Sequence, residues 1–302
     1  SIVPTEESAC WPALTTGVNP GETGVYGFQD REIDSYDTYI PMGRDVQATR
    51  VWTRAAEAGR QATVMNVPVS FPPERDIQRM VSGFLSPSVE KAAYPDEIRD
   101  YLLDAAYRID MDATLGEDDD KRPFIENARE TLDIRFEAFE HYIDKNDWAL
   151  FVGVFMTPDR LNHFLYRDYA ETGEHYDAVM DFYRTLDDYL GQIRAALDDE
   201  VTLVVVSDHG FTSLDYEVNC NEWLQQSGWL EYETDEPAGL ADITDETRAY
   251  SLVPGRFYLN VEGREPRGCV SEDDYQAVRQ ELKEDLDTLV GPDETFVIER
   301  VE

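Results

Sequence analysis

Two kinds of hydrophobic pattern alternate along this chain. Short, nearly uninterrupted apolar runs at 62–69 ("ATVMNVPV"), 148–156 ("WALFVGVFM"), 201–207 ("VTLVVVS") and 256–261 ("RFYLNV") are rich in β-branched or aromatic residues and predict strands. The run at 201–207 reads as a strand buried on both faces, in the middle of a parallel sheet. Between the runs, apolar residues recur every three or four positions over 45–58, 95–107, 123–143, 176–197 and 272–289, the spacing of helices with one buried face. Strand alternating with helix predicts an α/β fold with a mainly parallel central sheet and helices on both faces. The whole chain, 1–302, reads as a single domain. The polar segments 110–122, with "GEDDDKR" inside it, and 231–248 read as surface insertions or loops and are assigned no chemistry.

The ends of two predicted strands carry the candidate chemistry. After 148–156 come Thr157 and Pro158, a helix start, then Asp159 and, four residues on, His163. That spacing puts a carboxylate and an imidazole on one face of the first helical turns. After 201–207 come Asp208 and His209, and the helix at 176–197 predicts a crossover that keeps the two strands parallel. Both pairs would then open onto one edge of the sheet, where α/β proteins place their ligands. Mixed oxygen and nitrogen donors of this kind suit zinc or manganese better than magnesium or calcium. Each pair alone is an ordinary surface motif. Their joint position carries weight because the chain has only four histidines, and His141 and His175 lack such a setting and read as structural or exposed.

Charge narrows the partners. Against 26 Lys and Arg stand 64 Asp and Glu, a formal net charge of −38, so nucleic acid and anionic membranes are repelled by the surface as a whole. Lysine is confined to Lys91, Lys121, Lys145 and Lys283, and the carboxylates are spread along the chain, a halophilic composition suited to a cytosol of molar salt. At 1 M the Debye length is about 3 Å, which silences the self-repulsion that dilute buffer leaves acting over tens of ångströms. Thermal stability is therefore expected to rise steeply with KCl, and a melting temperature flat or falling from low to molar salt would reject the reading. Cys10, Cys220 and Cys269 are widely separated and have no metal-type spacing, as expected of unpaired thiols in a reducing, cytoplasmic setting.

The first 28 residues combine hydroxyls, a helix-like "SACWPALTTG" and a glycine-rich exit through Gly17, Gly21, Gly24 and Gly27. Ser8 stands at the amino end of that helix, where backbone N–H groups favour negative charge. Such a position also suits a simple N-cap.

Taken in order, "SACWPALTTGVNPGETGVYGF", "TPDRLNH" and "VVVSDHGF" resemble the alkaline phosphatase superfamily, in particular its type I phosphodiesterase and nucleotide pyrophosphatase branch. "EWLQQSGWL" and "LNVEGREPRG" look like later landmarks of that branch, so the likeness covers nearly the whole chain. The resemblance implies a hydrolase of phosphate esters, more diester or pyrophosphate than monoester, acting on a small phosphorylated substrate with two divalent metal ions, usually zinc. It assigns Asp159 and His163 to one ion and Asp208 and His209 to the other. It also implies a hydroxyl at a helix start that attacks phosphorus and gives a phospho-enzyme for water to hydrolyse. The usual place of that hydroxyl falls on Glu7, which leaves Ser8, if one residue has shifted, with Thr5 as the alternative. Phe28 stands where many members have a phosphate-holding Asn. The family's remaining metal ligands, an Asp upstream and a His downstream, would lie outside these residues. With the abrupt start at Ser1, that predicts a piece of a longer protein and a weak catalyst as it stands. Phosphomonoesterase, phosphoglycerate mutase-like and sulfatase activities are rivals on the same fold, although "ACWPA" lacks the arginine of a sulfatase motif. A non-catalytic homologue acting as a binding protein is the rival of another class, kept open by Glu7.

Overall fold

A computed structural model describes residues 5–301 of the chain. In chain order its elements begin with helices α1 (Glu7–Thr16) and α2 (Pro20–Thr23), strands β1 (Asp30–Arg31) and β2 (Thr38–Tyr39), and helix α3 (Val51–Glu57). There follow β3 (Ala62–Val67), β4 (Arg79–Ser82), α4 (Val89–Ala92), β5 (Ala93–Tyr94), α5 (Asp96–Asp104) and α6 (Arg122–Ile143). The remainder comprises β6 (Leu150–Gly153), α7 (Thr157–Glu171), α8 (Tyr176–Ala196), α9 (Cys220–Gln226), β7 (Ala249–Val253), β8 (Arg256–Leu259) and α10 (Tyr275–Leu286). Among the described residues two compact units result, one made of 5–28 and 41–215, the other of 29–40 and 216–301.

The first unit is the α/β unit. Every residue of β3 is buried, as its unbroken apolar sequence requires, and the strand pairs in parallel with β4 (Val64 opposite Met80) and with β6 (Val64 opposite Val152). The short β5 closes the edge antiparallel, giving the order β5-β4-β3-β6. The long α6 turns Phe136, Phe139, Tyr142 and Ile143 onto Met65 and Val81 of the sheet. Nearer its amino end Phe124, Ile125, Ala128 and Leu132 pack with Leu161 and Leu165 of α7 and Val179 and Phe182 of α8. At the end of β6 position 153 requires glycine, because a Cβ there would stand 2.7 Å from the Phe139 ring.

One buried cation ties this layer to the loops above it. Arg135 of α6, 2% exposed, donates to the carbonyls of Val154 (2.9 Å), Arg108 (2.7 Å) and Ile109 (2.8 Å). It thereby fixes the turn between β6 and α7 and the segment leading to Asp110.

In the second unit β7 and β8 form an antiparallel pair, Tyr250 opposite Tyr258, covered by Leu282 and Leu286 of α10 and by Leu224 and Trp229. The apolar run at 256–261 is thus a strand, but outside the parallel sheet. Segment 231–248 contains a bridge between Tyr232 and Ile243 and buries Ile243 and Thr247. All three cysteines are free thiols, and His141 stacks on Tyr101 with centroids 3.9 Å apart. Among the described residues no helix is long and apolar enough to cross a membrane.

Residues 201–207 overturn one expectation. They form no strand, and Val204, Val205 and Val206 are 70%, 66% and 57% exposed. Branched side chains favour an extended backbone, but a strand exists only through a ladder with a neighbour, and none pairs with this run. The helix α8 is consequently no crossover between two paired strands, and Asp208 follows an unpaired segment.

Candidate active site

Asp159 owes its place to the end of β6. The chain leaves Gly153, crosses the turn held by Arg135, and enters α7 with Thr157 and Pro158 as its first two residues and Met156 as the N-cap, one residue earlier than the sequence suggests. Proline costs nothing in the first turn, whose N–H groups have no helical partner. Asp159 is then the third residue of the helix, and His163 lies one turn further on the same face, its Nε2 3.5 Å from Asp159 Oδ2.

The second pair reaches the same point from the unpaired segment. His209 Nε2 lies 3.4 Å from Asp208 Oδ2 and 3.8 Å from Asp159 Oδ1. All four residues expected from the sequence therefore converge, with His209 between the two carboxylates. The side chains of Asp159, Asp208 and His209 are largely covered, whereas that of His163 is 55% exposed and forms the open side. Phe211 packs against both imidazoles, at 5.1 Å from His163 and 5.6 Å from His209.

His209 Nδ1 stands 2.9 Å from the Gly210 carbonyl oxygen. A carbonyl can only accept, so Nδ1 is the donor, and a neutral ring then turns the Nε2 lone pair toward two carboxylates. Only a proton on Nε2 or a cation between the groups makes that arrangement favourable. This is the orientation that backbone carbonyls impose on metal-bound histidines.

The donors fit a metal in chemistry and, pairwise, in spacing. Bonds of about 2.0–2.2 Å from tetrahedral zinc to nitrogen and oxygen put neighbouring donors roughly 3.3–3.5 Å apart. The Asp159–His163 and Asp208–His209 separations match that edge, and they exceed the usual 2.7–3.2 Å of a hydrogen bond. Each pair supplies two donors. Among the described residues no three His, Cys, Asp or Glu side chains stand already arranged to hold an ion.

Three charged groups complete the site. Arg160, beside Asp159 in α7, donates from Nε to Asp110 Oδ2 at 2.8 Å, sets Nη1 3.3 Å from Asp159 Oδ2, and stacks 4.1 Å above the Phe84 ring. Phe28 meets Phe84 edge-on at 6.0 Å, so the residue standing where an Asn was expected joins an aromatic shelf under the guanidinium. Glu7 opens α1 and is 5% exposed. Its carboxyl is pushed up from 4.5 to about 8, first by burial and then by Asp159, Asp208 and Asp110, with Arg160 opposing. Burial likewise raises Asp159, against His163 and Arg160, and raises Asp208, against His209. Ser8 is buried next to Glu7, about 100° round the helix, and Thr5 is exposed.

Arg160 could have been noticed inside "TPDRLNH". Asp110 was hidden in a polar segment that reads as solvated surface, and no spacing rule pointed to Phe84 or Phe211.

A pH dependence follows from Glu7. Between about pH 4.5 and 8 the unfolded chain has released this proton while the folded protein keeps it, so the unfolding free energy falls as pH rises. At about 1.36 kcal/mol per pH unit, the metal-free protein is expected to lose several kcal/mol across that window. Urea unfolding in chelator at pH 5 and pH 8 measures the loss, and Glu7→Gln should reduce it, leaving the part that Asp159 and Asp208 contribute. Equal slopes in the two proteins would contradict the assignment.

A family model described as Type I phosphodiesterase / nucleotide pyrophosphatase matches residues 1–301. No curated protein and no solved structure gives a match.

Proposed function

The chain belongs to the type I phosphodiesterase / nucleotide pyrophosphatase family of the alkaline phosphatase superfamily, which indicates hydrolysis of phosphodiester or pyrophosphate bonds, and on that footing we propose a metal-dependent reaction at the site around His209. Asp159 and His163 would hold one divalent ion and Asp208 and His209 a second, zinc in first place and manganese as the alternative. The observation that carries this reading is the approach of His209 Nε2 to both aspartates with Nδ1 committed to Gly210. Bound there, the ions would offset the charge of the phosphate oxygens and ease ionisation of the attacking group.

The protein's own groups account for the rest. Asp110 and Arg160 hold Asp159 in place from behind. A cavity of about 410 Å³ next to Asp110, lined by Phe84, Leu85, Pro87, Val89 and Ile109, offers apolar room for the organic arm of an ester. In the first half-reaction the Ser8 oxygen attacks phosphorus, its proton is lost to solvent, and the ester oxygen leaves as the alcohol after taking up a proton. Water then cleaves the bond between phosphorus and the Ser8 oxygen, which restores the hydroxyl and releases the phosphomonoester that carries the second organic group. Ser8→Ala is expected to abolish turnover with metal binding intact. Full activity in that variant with loss in Thr5→Ala would move the role to Thr5.

Parallel assays on bis(p-nitrophenyl) phosphate, p-nitrophenyl phosphate and p-nitrophenyl sulfate test the reaction class. The diester should be the best substrate. A preference for the monoester or the sulfate would identify one of the rival activities, and metal binding without turnover of any of them would identify a binding protein.

A further inference from the structure

Strand β4 runs parallel to β3, and β3 to β6, so the loop after β4 opens on the same edge of the sheet as the turn that delivers Asp159. The loop is pressed down at its start, where a Cβ at Gly83 would run into the Asn66 carbonyl near the end of β3. The next residues stand up from the edge. Phe84 carries the Arg160 guanidinium, and Leu85 holds a left-handed backbone, φ 69°, with 40% of its surface exposed. That conformation is costly for a residue with a Cβ, and contact with water does nothing to offset it for an apolar side chain.

Leu85, Pro87, Val89 and Ile109 line, together with Asp110, the cavity of about 410 Å³. Asp110 joins that cavity to the reacting centre: its Oδ2 accepts from Arg160 Nε at 2.8 Å, and Arg160 Nη1 lies 3.3 Å from Asp159 Oδ2. Among the described residues of the wall Asp110 is the only charged one, and its cation is already committed. A carboxylate or a further phosphate entering the cavity would meet Asp110 and apolar side chains, with no cation in the wall to receive it. An uncharged ring would exchange water for matching surface. Resting on the reading of this site as a phosphodiester hydrolase, we propose that the cavity selects the arm that stays on phosphorus, taking an uncharged apolar group and rejecting one with a further negative charge, and that Leu85 sets this choice at the exposed rim. The retained arm keeps its contacts through both half-reactions, so binding it there serves both.

Three diesters with the same p-nitrophenolate leaving group, and methyl, phenyl or 4-carboxyphenyl as the retained arm, test this on the full chain with zinc present. Assays in 1 M KCl, where the Debye length is about 3 Å, screen the net charge and leave the wall itself to discriminate. The phenyl ester is expected to exceed both others in kcat/KM by about tenfold or more. Leu85→Lys puts a cation at the rim and should cut the ratio of phenyl to 4-carboxyphenyl by about tenfold, whereas Leu85→Asp should raise it. The ratio is taken within one protein, so a variant with less folded material still reports it. A wild-type ratio of one or below, or a ratio that neither substitution moves, would overturn the role of the cavity, while turnover of the methyl ester would leave the phosphodiesterase standing. No release of p-nitrophenolate from any of the three would remove the phosphodiesterase reading, and the inference with it.

Discussion

Asp208→Asn is expected to lower kcat/KM for a phosphodiester by about a thousandfold. Asparagine has the size of aspartate, so the approach of His209 to this side chain, 3.4 Å in the parent, can persist while the negative donor is gone. Charge stabilisation by a metal at a phosphoryl centre is worth several kcal/mol, and each 1.36 kcal/mol is a factor of ten in rate. Metal-free, the same variant should be no less stable than the parent, because burial already disfavours the ionised Asp208 carboxylate. Steady-state kinetics on purified protein, with melting curves beside them, separate the two effects. A variant that is both inactive and unfolded would show only that Asp208 supports the fold.

Arg135→Met is expected to cost about 3–5 kcal/mol of stability, the largest loss anticipated from one substitution in the α/β unit. The methionine can occupy much of the space but offers no donor. Three buried carbonyls, those of Arg108, Ile109 and Val154, would lose their partner together, and the Tyr107 ring 5.0 Å from the guanidinium would lose a cation. Each orphaned acceptor costs about 1–3 kcal/mol, partly offset because the buried charge itself disappears. Activity should fall beyond what unfolding explains, since the freed segments carry Asp110 and lead into α7. A fall in the urea midpoint, compared with that of the conservative Arg135→Lys, measures the effect. A midpoint unchanged in Arg135→Met would mean that the carbonyls find water.

What the sequence made legible is what local physics determines. Helices α6 and α8 lie within a residue or so of their expected bounds because a buried stripe at three- and four-residue spacing has no other way to be satisfied. Strand β3 was readable because all six of its residues enter the core. Asp159 and His163 were readable because a helix start fixes their mutual direction. The run 201–207 was misread for the converse reason: its valines report a preference for extended backbone and carry no information about a neighbour. Whether Arg256–Leu259 joins the parallel sheet or pairs with Ala249–Val253 depends on contacts between distant segments, which periodicity does not encode. The inward turn of Glu7 was hidden in the same way. Its position in the sequence marked it as the residue standing in the hydroxyl's place, but its burial depends on how α1 packs, which no local pattern encodes.

The most direct test is turnover of bis(p-nitrophenyl) phosphate by chelator-treated protein as zinc is returned stepwise. Turnover is expected to vanish in chelator and to return along the same curve as zinc binding, and neither should recover in Asp208→Asn. Hydrolysis undiminished by chelator, or zinc bound in full with no hydrolysis, would contradict a metal-dependent phosphodiesterase centred on Asp159, His163, Asp208 and His209.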